Sequence, residues 1–292
     1  MSGTICQELA LRVLRTNGTG HLFPAHCLRV LPVHRCETHF LNLMSITDSI
    51  RSDTRALWHL LAASNRGETH RDRLNQFYRG QAEIYDSFRK RMLHGRQELI
   101  DTLPVQQDNV WVDLGCGTGE NLERFGDRLN LFSHIHLVDL CEPLLDVAKA
   151  RVATCSGAKI TVHEGDATQF GAKATKADLV TFSYSLTMIP DWFAAIDNAL
   201  SLLRPGGLIG VVDFFVSRKH IEKGDVRHGW LTRTGWPIWF GMDNVYLEPD
   251  RLSMLKRRFE TVSLTQHRGH IAYIPFFKVP YYVYIGRKPL ES

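Results

Sequence analysis

The sequence has no apolar run approaching the roughly 20 residues that a bilayer-spanning helix needs, so any membrane contact is expected at the surface. It has no C-x-x-C pair. Its six cysteines, Cys6, Cys27, Cys36, Cys116, Cys141 and Cys155, are scattered, which argues against a zinc site or a disulfide framework and for reduced thiols in a cytosol-facing protein. No metal centre is expected. The charge excess is small, formally +4, too mild to point to nucleic acid, although a local basic patch could still meet an anionic surface. Internal repeats and low-complexity tracts are missing too. What remains is 292 residues of ordinary globular composition, enough for one large α/β domain with an accessory segment or for two small domains.

Residues 1 to 44 differ from the rest, with four arginines and four histidines against two acids, Glu8 and Glu37. They read either as an Arg-rich organelle-targeting segment or as a disordered extension, and Met44 is a second candidate start. Residues 45 to 105 read as helical: one helix through Ile50, Leu57, Leu60 and Leu61, another from about Arg71 to Leu93, and a short one from Arg96 to Thr102 that Pro104 ends. Residues 106 to 289 then alternate. Strands are expected at Asn109–Leu114, His134–Leu140, Lys159–Glu164, Ala177–Tyr184 and Gly207–Phe215. Helices are expected at Glu120–Leu129, Pro143–Cys155 and Pro190–Leu203. Such alternation implies a doubly wound α/β fold, a mostly parallel sheet covered on both faces. Residues 217–250 look irregular, a helix follows at Glu248–Phe259, and strands at 261–267 and 280–287 would close the sheet as an antiparallel edge hairpin, making seven strands.

The first strand ends in Asp113 and opens into Gly115-Cys116-Gly117-Thr118-Gly119. Glycines there let backbone approach a ligand at the strand's carboxyl end. The glycines are spaced by twos, which does not fit G-x-G-x-x-G. Asp139 ends the second strand 26 residues after Asp113, Asp166 follows the third in Glu164-Gly165-Asp166-Ala167, and Arg204-Pro205-Gly206-Gly207 precedes the fifth. This ordered set, over roughly residues 75 to 215, resembles the class I S-adenosylmethionine (SAM)-dependent methyltransferases, which are Rossmann-like. The resemblance implies SAM as cofactor. Asp113 would serve its amine or the loop amides, Asp139 the ribose hydroxyls and Asp166 the adenine amino group. Leu140 and Ala167 would flank the adenine, with Gly115, Gly117, Asn121 and Ser183 lining the site. Tyr78, Tyr85 and Arg89 share one helical face, so that helix could close over the methionyl carboxylate with Tyr85 and Arg89 against the cofactor and Tyr78 toward substrate.

Further stretches carry a narrower resemblance. Ile84-Tyr85-Asp86-Ser87-Phe88-Arg89, Phe182-Ser183-Tyr184-Ser185-Leu186-Thr187-Met188-Ile189-Pro190-Asp191-Trp192, Trp239-Phe240-Gly241-Met242-Asp243-Asn244-Val245-Tyr246-Leu247 and Pro280-Tyr281-Tyr282-Val283-Tyr284 are similar to the methyltransferase part of betaine-lipid synthases. That resemblance implies successive methylation of the amine of a diacylglyceryl-homoserine head group, at a membrane surface and on an internal membrane. The family's homoserine-transferring domain has no counterpart in this sequence, so a separate enzyme is expected to supply that moiety. The other enzymatic reading is methylation of a small amine or a quinone-type hydroxyl. The non-enzymatic reading is a SAM-binding scaffold.

Amine methylation asks mainly for positioning, a proton acceptor and surroundings that suit an ammonium. Tyr184 and Asp213, at strand ends, and His228 are the candidate catalytic groups. Tyr78, Tyr184, Trp230, Trp236, Trp239 and Tyr246 are the candidate substrate contacts. Ile274-Pro275-Phe276-Phe277-Lys278 and Lys256-Arg257-Arg258 are the stretches suited to a lipid surface.

Overall fold

The computed structural model describes residues 69–78, 92–155, 157–171, 176–241, 245–271 and 274–290, without the side chains of 70, 77, 271 and 274–277. The expectations for residues 1 to 68 and for Tyr85 and Arg89 lie outside the described residues. In chain order the elements are α1 (His70–Tyr78), α2 (Arg96–Thr102), β1 (Asn109–Leu114), α3 (Asn121–Phe125), a 3-10 turn (Gly126–Leu131), β2 (Phe132–Asp139), α4 (Glu142–Val152), β3 (Lys159–Glu164), β4 (Ala177–Ser183), α5 (Trp192–Leu202), β5 (Leu203–Phe214), α6 (Trp230–Gly241), α7 (Arg251–Arg258), β6 (Glu260–Ile271) and β7 (Ile274–Arg287).

The seven strands form one sheet in the order β3-β2-β1-β4-β5-β7-β6. β1 to β5 run parallel, and β7 lies antiparallel between β5 and β6. The doubly wound, seven-stranded sheet expected from the alternation is therefore present. Side chains alternate between its faces, as strand geometry requires. Leu99, Trp111, Phe125, Ile135, Leu137 and Val283 build the core on one face. Val112, Leu114, Val180, Ile196, Val211 and Leu255 build it on the other. The strand order reverses direction between β1 and β4, which opens a crevice at their carboxyl ends.

Several boundaries differ from expectation for local reasons. The helix expected to reach Leu129 stops at Phe125, because Gly126 takes φ 52° and the chain tightens into a 3-10 turn. Helix α5 starts at Trp192, where the Asp191 carboxylate caps it by accepting from the Ala194 N–H at 3.1 Å. Arg204 to Gly207 bulge within the span of β5 instead of preceding it: Ala177 pairs with Leu203 but Leu179 with Leu208. The closing hairpin is longer than expected, and Pro280 sits inside β7 opposite Arg268. Residues 217–250, expected to be irregular, contain the twelve-residue helix α6.

Candidate functional site

The glycine loop after β1 is fastened to its neighbour strand. The N–H groups of Gly115 and Cys116 both donate to the Val138 carbonyl, at 2.8 and 3.0 Å. Gly115, Gly117 and Gly119 take φ of 71°, 56° and 70°, backbone that disfavours a Cβ. At Gly115 space forbids one too: a Cβ there would fall 2.4 Å from Ser185 Cβ. The Asp139 carboxylate at the end of β2 accepts from Gly117 N–H at 2.8 Å and Cys141 N–H at 2.9 Å, so it shapes the loop while facing the crevice. Asp166 accepts from the Thr168 N–H and hydroxyl, both at 2.8 Å and both on Oδ1.

Beneath the loop lies a buried polar network. Asp113 is fully buried and accepts from the Thr181 hydroxyl at 2.6 Å and the Asn121 amide at 3.0 Å. Burial pushes its carboxyl above the usual range, while Thr181, Asn121 and the Arg96 guanidinium oppose that rise. Asn121 also donates to the Ser183 hydroxyl at 3.1 Å and accepts from Arg96 at 2.8 Å. Arg96 in turn reaches Glu120 at 2.5 Å, and Trp111 Nε1–H donates to Thr181 at 2.7 Å.

The crevice is a cleft of about 360 Å³, within the range of small-molecule sites. Gly115, Gly117, Asp139, Leu140, Asp166, Ala167, Tyr78 and Tyr184 line it, as the sequence led us to expect. Asp113, Asn121 and Ser183 do not reach its surface. They hold the loop from below, because Asp113 points to the same face as Trp111 and is sealed under Thr181 and Asn121. Leu74, Cys141, Leu144, Thr168, Gln169, Ser185, Met188, Ile189 and Asp191 also line the cleft and were not singled out as site residues. The Ser185–Asp191 group lay inside the distinctive Phe182–Trp192 stretch, and that was the available signal. Helix α1 lies across one side: the Glu142 N–H donates to Asn75 at 3.1 Å, and the Tyr78 hydroxyl approaches Met188 Sδ at 3.7 Å. Burial pushes the Cys141 thiol up to about 12, which disfavours its thiolate.

The acceptor-side expectations need correction. Tyr184 does line the cleft, but its hydroxyl donates to the His94 carbonyl at 2.6 Å, so only its ring is presented. Its φ of 56° is rare for a tyrosine, and it is held by the Tyr184 N–H to Val212 carbonyl bond and by ring packing on Phe214 at 4.6 Å. Asp213 is not in the cleft lining. It is fully buried, accepts from the N–H and hydroxyl of Thr187 and from the Phe214 N–H, and burial raises its pKa to about 6. Strand alternation sends it to the face covered by α5 and α7. His228 is buried against Phe215, its Nδ1 accepting from the Ser217 N–H at 3.0 Å and its pKa lowered by burial to about 4. It secures the turn after β5. Trp230, Trp236, Trp239 and Tyr246 also stand outside the cleft lining: Trp236 packs on Phe240, and the other three are exposed.

Among the described lining residues there are three aspartates and no lysine or arginine. Such a lining is unsuited to a phosphate and suited to a ligand bearing positive charge. The Gly115 position, closed to any side chain by Ser185, brings bare backbone to a ligand beside the Asp139 and Asp166 carboxylates. These residues fit SAM, a sulfonium with two ribose hydroxyls and an adenine amino group for those carboxylates and an apolar ring for Leu140 and Ala167.

The fold is that of the class I methyltransferases, and the cleft has a lining that fits S-adenosylmethionine. Residues 112–207 match the family model described as a methyltransferase domain. The demethylmenaquinone methyltransferase of Staphylococcus aureus is 26% identical over 114 residues, 39% of this chain and 46% of that protein, so the chain spans less than half the length of the curated relatives it matches. Among solved structures, Haemonchus contortus phosphoethanolamine N-methyltransferase 2, with phosphomonomethylethanolamine and S-adenosylhomocysteine, superposes with a TM-score of 0.56 at 14% identity, covering 76% of this chain and 61% of that one. The N-methyltransferase NodS from Bradyrhizobium japonicum, with S-adenosylhomocysteine, does so with a TM-score of 0.50 at 16% identity, covering 66% and 85%. At these identities the likeness is one of fold.

Proposed function

We propose that this chain is an N-methyltransferase that methylates the amine of a diacylglyceryl-homoserine head group. The observation that carries the reading is the wall of the cleft made by Ser185, Met188, Ile189, Pro190 and Asp191. It belongs to one of the two stretches that carry the resemblance to betaine-lipid synthases most distinctively, and it joins an exposed carboxylate to apolar side chains. An ammonium head group with an apolar tail matches that pairing. The two structural neighbours named above are N-methyltransferases, in keeping with an amine acceptor.

Bound SAM supplies a methyl group on a cationic sulfur, open to in-line attack by an amine lone pair. The residues of this chain then do four things. Asp139 and Asp166 would accept from the cofactor's ribose hydroxyls and adenine amino group. Leu140, Leu144 and Ala167 would exclude water from its adenine. The Tyr184 ring and Met188 narrow the space in which an acceptor can sit, and positioning of this kind supplies much of the rate. Asp191 draws the ammonium to the rim and can accept the proton the amine must lose before it attacks. A separate enzyme that attaches the homoserine moiety would provide the substrate.

The test is incubation with methyl-labelled SAM and, in parallel, a lipid fraction containing diacylglyceryl-homoserine, demethylmenaquinone and a set of soluble amines. Label in the polar lipid supports the proposal. The Staphylococcus aureus relatives favour a second reading, a quinone-type acceptor, and label in the quinone arm would establish it instead. Tight SAM binding with no label in any arm would return the chain to a SAM-binding scaffold.

A further inference from the structure

Helix α6 turns its apolar side outward. Trp230, Leu231, Thr234, Gly235, Ile238 and Trp239 recur at the spacing of one helical face, and all six are exposed. Trp230 is 71% exposed, Leu231 77%, Ile238 65% and Trp239 39%, and no charged residue lies on that face. Single exposed apolar residues are ordinary. Four large ones on one short helix face are not. The opposite face is already used: Phe240 packs on Phe214 at 4.9 Å and on Trp236 at 5.8 Å.

We infer that α6 is the element by which this protein seats on an anionic lipid bilayer. Three features choose that occupant. Tryptophan stands near each end of the stripe, the residue type that settles where headgroup meets acyl chain. The flanking chain is basic: Arg218 pairs with Asp250 and Lys256 meets both Glu222 and Asp225, which leaves Lys219, Lys223, Arg227 and Arg233 in residues 218–233 without an acid of that segment to offset them. The excess complements an anionic surface. The helix also follows the carboxyl end of β5, on the side of the sheet where the cleft opens, and is joined to the cleft wall. The Tyr246 N–H donates to the Thr187 carbonyl at 2.8 Å, and rings run from Phe240 through Phe214 to Tyr184. Two members of the basic run Lys256-Arg257-Arg258 are engaged in ion pairs. Lys256 is spent on Glu222 and Asp225, and Arg258 pairs with Asp197. The apolar members of the Ile274–Lys278 stretch fall on side chains outside the description.

The inference deepens the lipid reading and rests on it for the identity of the surface, so its test uses no substrate. The full chain is co-floated with vesicles of phosphatidylcholine and of an equimolar phosphatidylcholine–phosphatidylserine mixture, neither carrying a methylatable homoserine lipid. The wild type is expected to bind the mixed vesicles more tightly, and added salt to weaken that preference. The pair Trp230→Glu and Leu231→Glu is expected to weaken binding to both by about tenfold or more. The set Lys219→Glu, Lys223→Glu and Arg227→Glu is expected to weaken binding to the mixed vesicles alone. SAM affinity, read by calorimetry, confirms that each variant is folded. No vesicle binding by the wild type, or equal binding by folded variants, overturns the inference. So does a wild-type dimer in sedimentation that Trp230→Glu dissociates while vesicles are ignored, because the face would then belong to a second copy. Methyl transfer to detergent-dispersed lipid reports the substrate reading separately.

Discussion

Removing the carboxylate of Glu120 should be among the most damaging single changes to this fold, although Glu120 touches no ligand. Arg96 and Glu120 are 2% and 3% exposed, and their ion pair is the outer end of the network that reaches Asn121 and Asp113 under the glycine loop. Glu120→Ala leaves the Arg96 guanidinium buried against a lost counter-charge, and Arg124 loses its partner as well. Breaking one side of a buried pair costs about 3–5 kcal/mol, a large part of the ~5–15 kcal/mol that holds a domain together. For a domain of about 150–250 residues each kcal/mol moves Tm by roughly 2–4 °C, so a fall of about 6–20 °C is expected. Glu120→Gln, which keeps an acceptor, should cost less. Arg96→Met combined with Glu120→Leu should recover much of the loss, because the desolvated charge is gone. Thermal melts and urea titrations of the four proteins read this directly. A Glu120→Ala protein melting within about 2 °C of wild type would refute the assignment of that pair as buried and coupled.

Gly115→Ala combines a left-handed φ with the Ser185 contact. The two together should cost about 2–5 kcal/mol and abolish measurable SAM binding by calorimetry, whereas unchanged binding would mean the loop is not the cofactor cradle. Asp139→Asn retains one acceptor where two N–H groups now bind, and should raise the SAM Kd about 10–100-fold. Stability should fall as pH drops from about 6.5 toward about 4. His136 and His228 have folded-state pKa values lowered to about 4 from an ordinary 6.5, so the unfolded chain takes up protons first. Asp213 works the other way, since its raised pKa of about 6 makes its contribution grow as pH falls through that value. Asp113, also raised by burial, acts with Asp213, but His134 and His163 are lowered as well, so four histidines oppose two aspartates, and His228→Gln should flatten the slope of unfolding free energy against pH by about one proton, a change that urea titrations across this range would detect. Met188→Ala should raise the acceptor KM more than the SAM Kd, and the reverse would place Met188 on the cofactor side.

The sheet was legible because its cues are local. Asn109–Leu114 and Lys159–Glu164 were placed to the residue, since short β-branched runs stood between clear punctuation. The cofactor half of the cleft was legible for the same reason: glycines and carboxylates follow strand ends directly, and Gly115, Gly117, Asp139 and Asp166 all face it. The acceptor half depends on geometry that sequence order hides. Asp213 and Phe214 are adjacent, yet the pleat sends them to opposite faces, one into a buried polar cluster and the other against Tyr184. The tryptophans announced an aromatic surface but not its direction. That was decided by which face of α6 could pack on Phe214, and Trp236 and Phe240 took that place while Trp230 and Trp239 were turned outward.

This division has a physical consequence for how the molecule divides its tasks. The loop and strand ends proposed to cradle SAM are built from backbone amides, carboxylates and a buried network, and none of these depends on what the acceptor is. The wall facing the cradle is set by contacts between distant parts of the chain: Asp213 holds Thr187, Thr187 receives the Tyr246 N–H, and Phe214 supports the Tyr184 ring at a φ that a tyrosine seldom keeps. All of these run toward the segment that carries α6. The wall proposed to shape the acceptor space is therefore continuous with the exposed apolar helix face, and it meets the glycine loop through Ser185, whose hydroxyl donates to the Leu114 carbonyl at 2.9 Å. Substitutions in the cradle should impair transfer to every acceptor alike. Substitutions from Thr187 through Tyr246 should alter which acceptor is used and how it arrives.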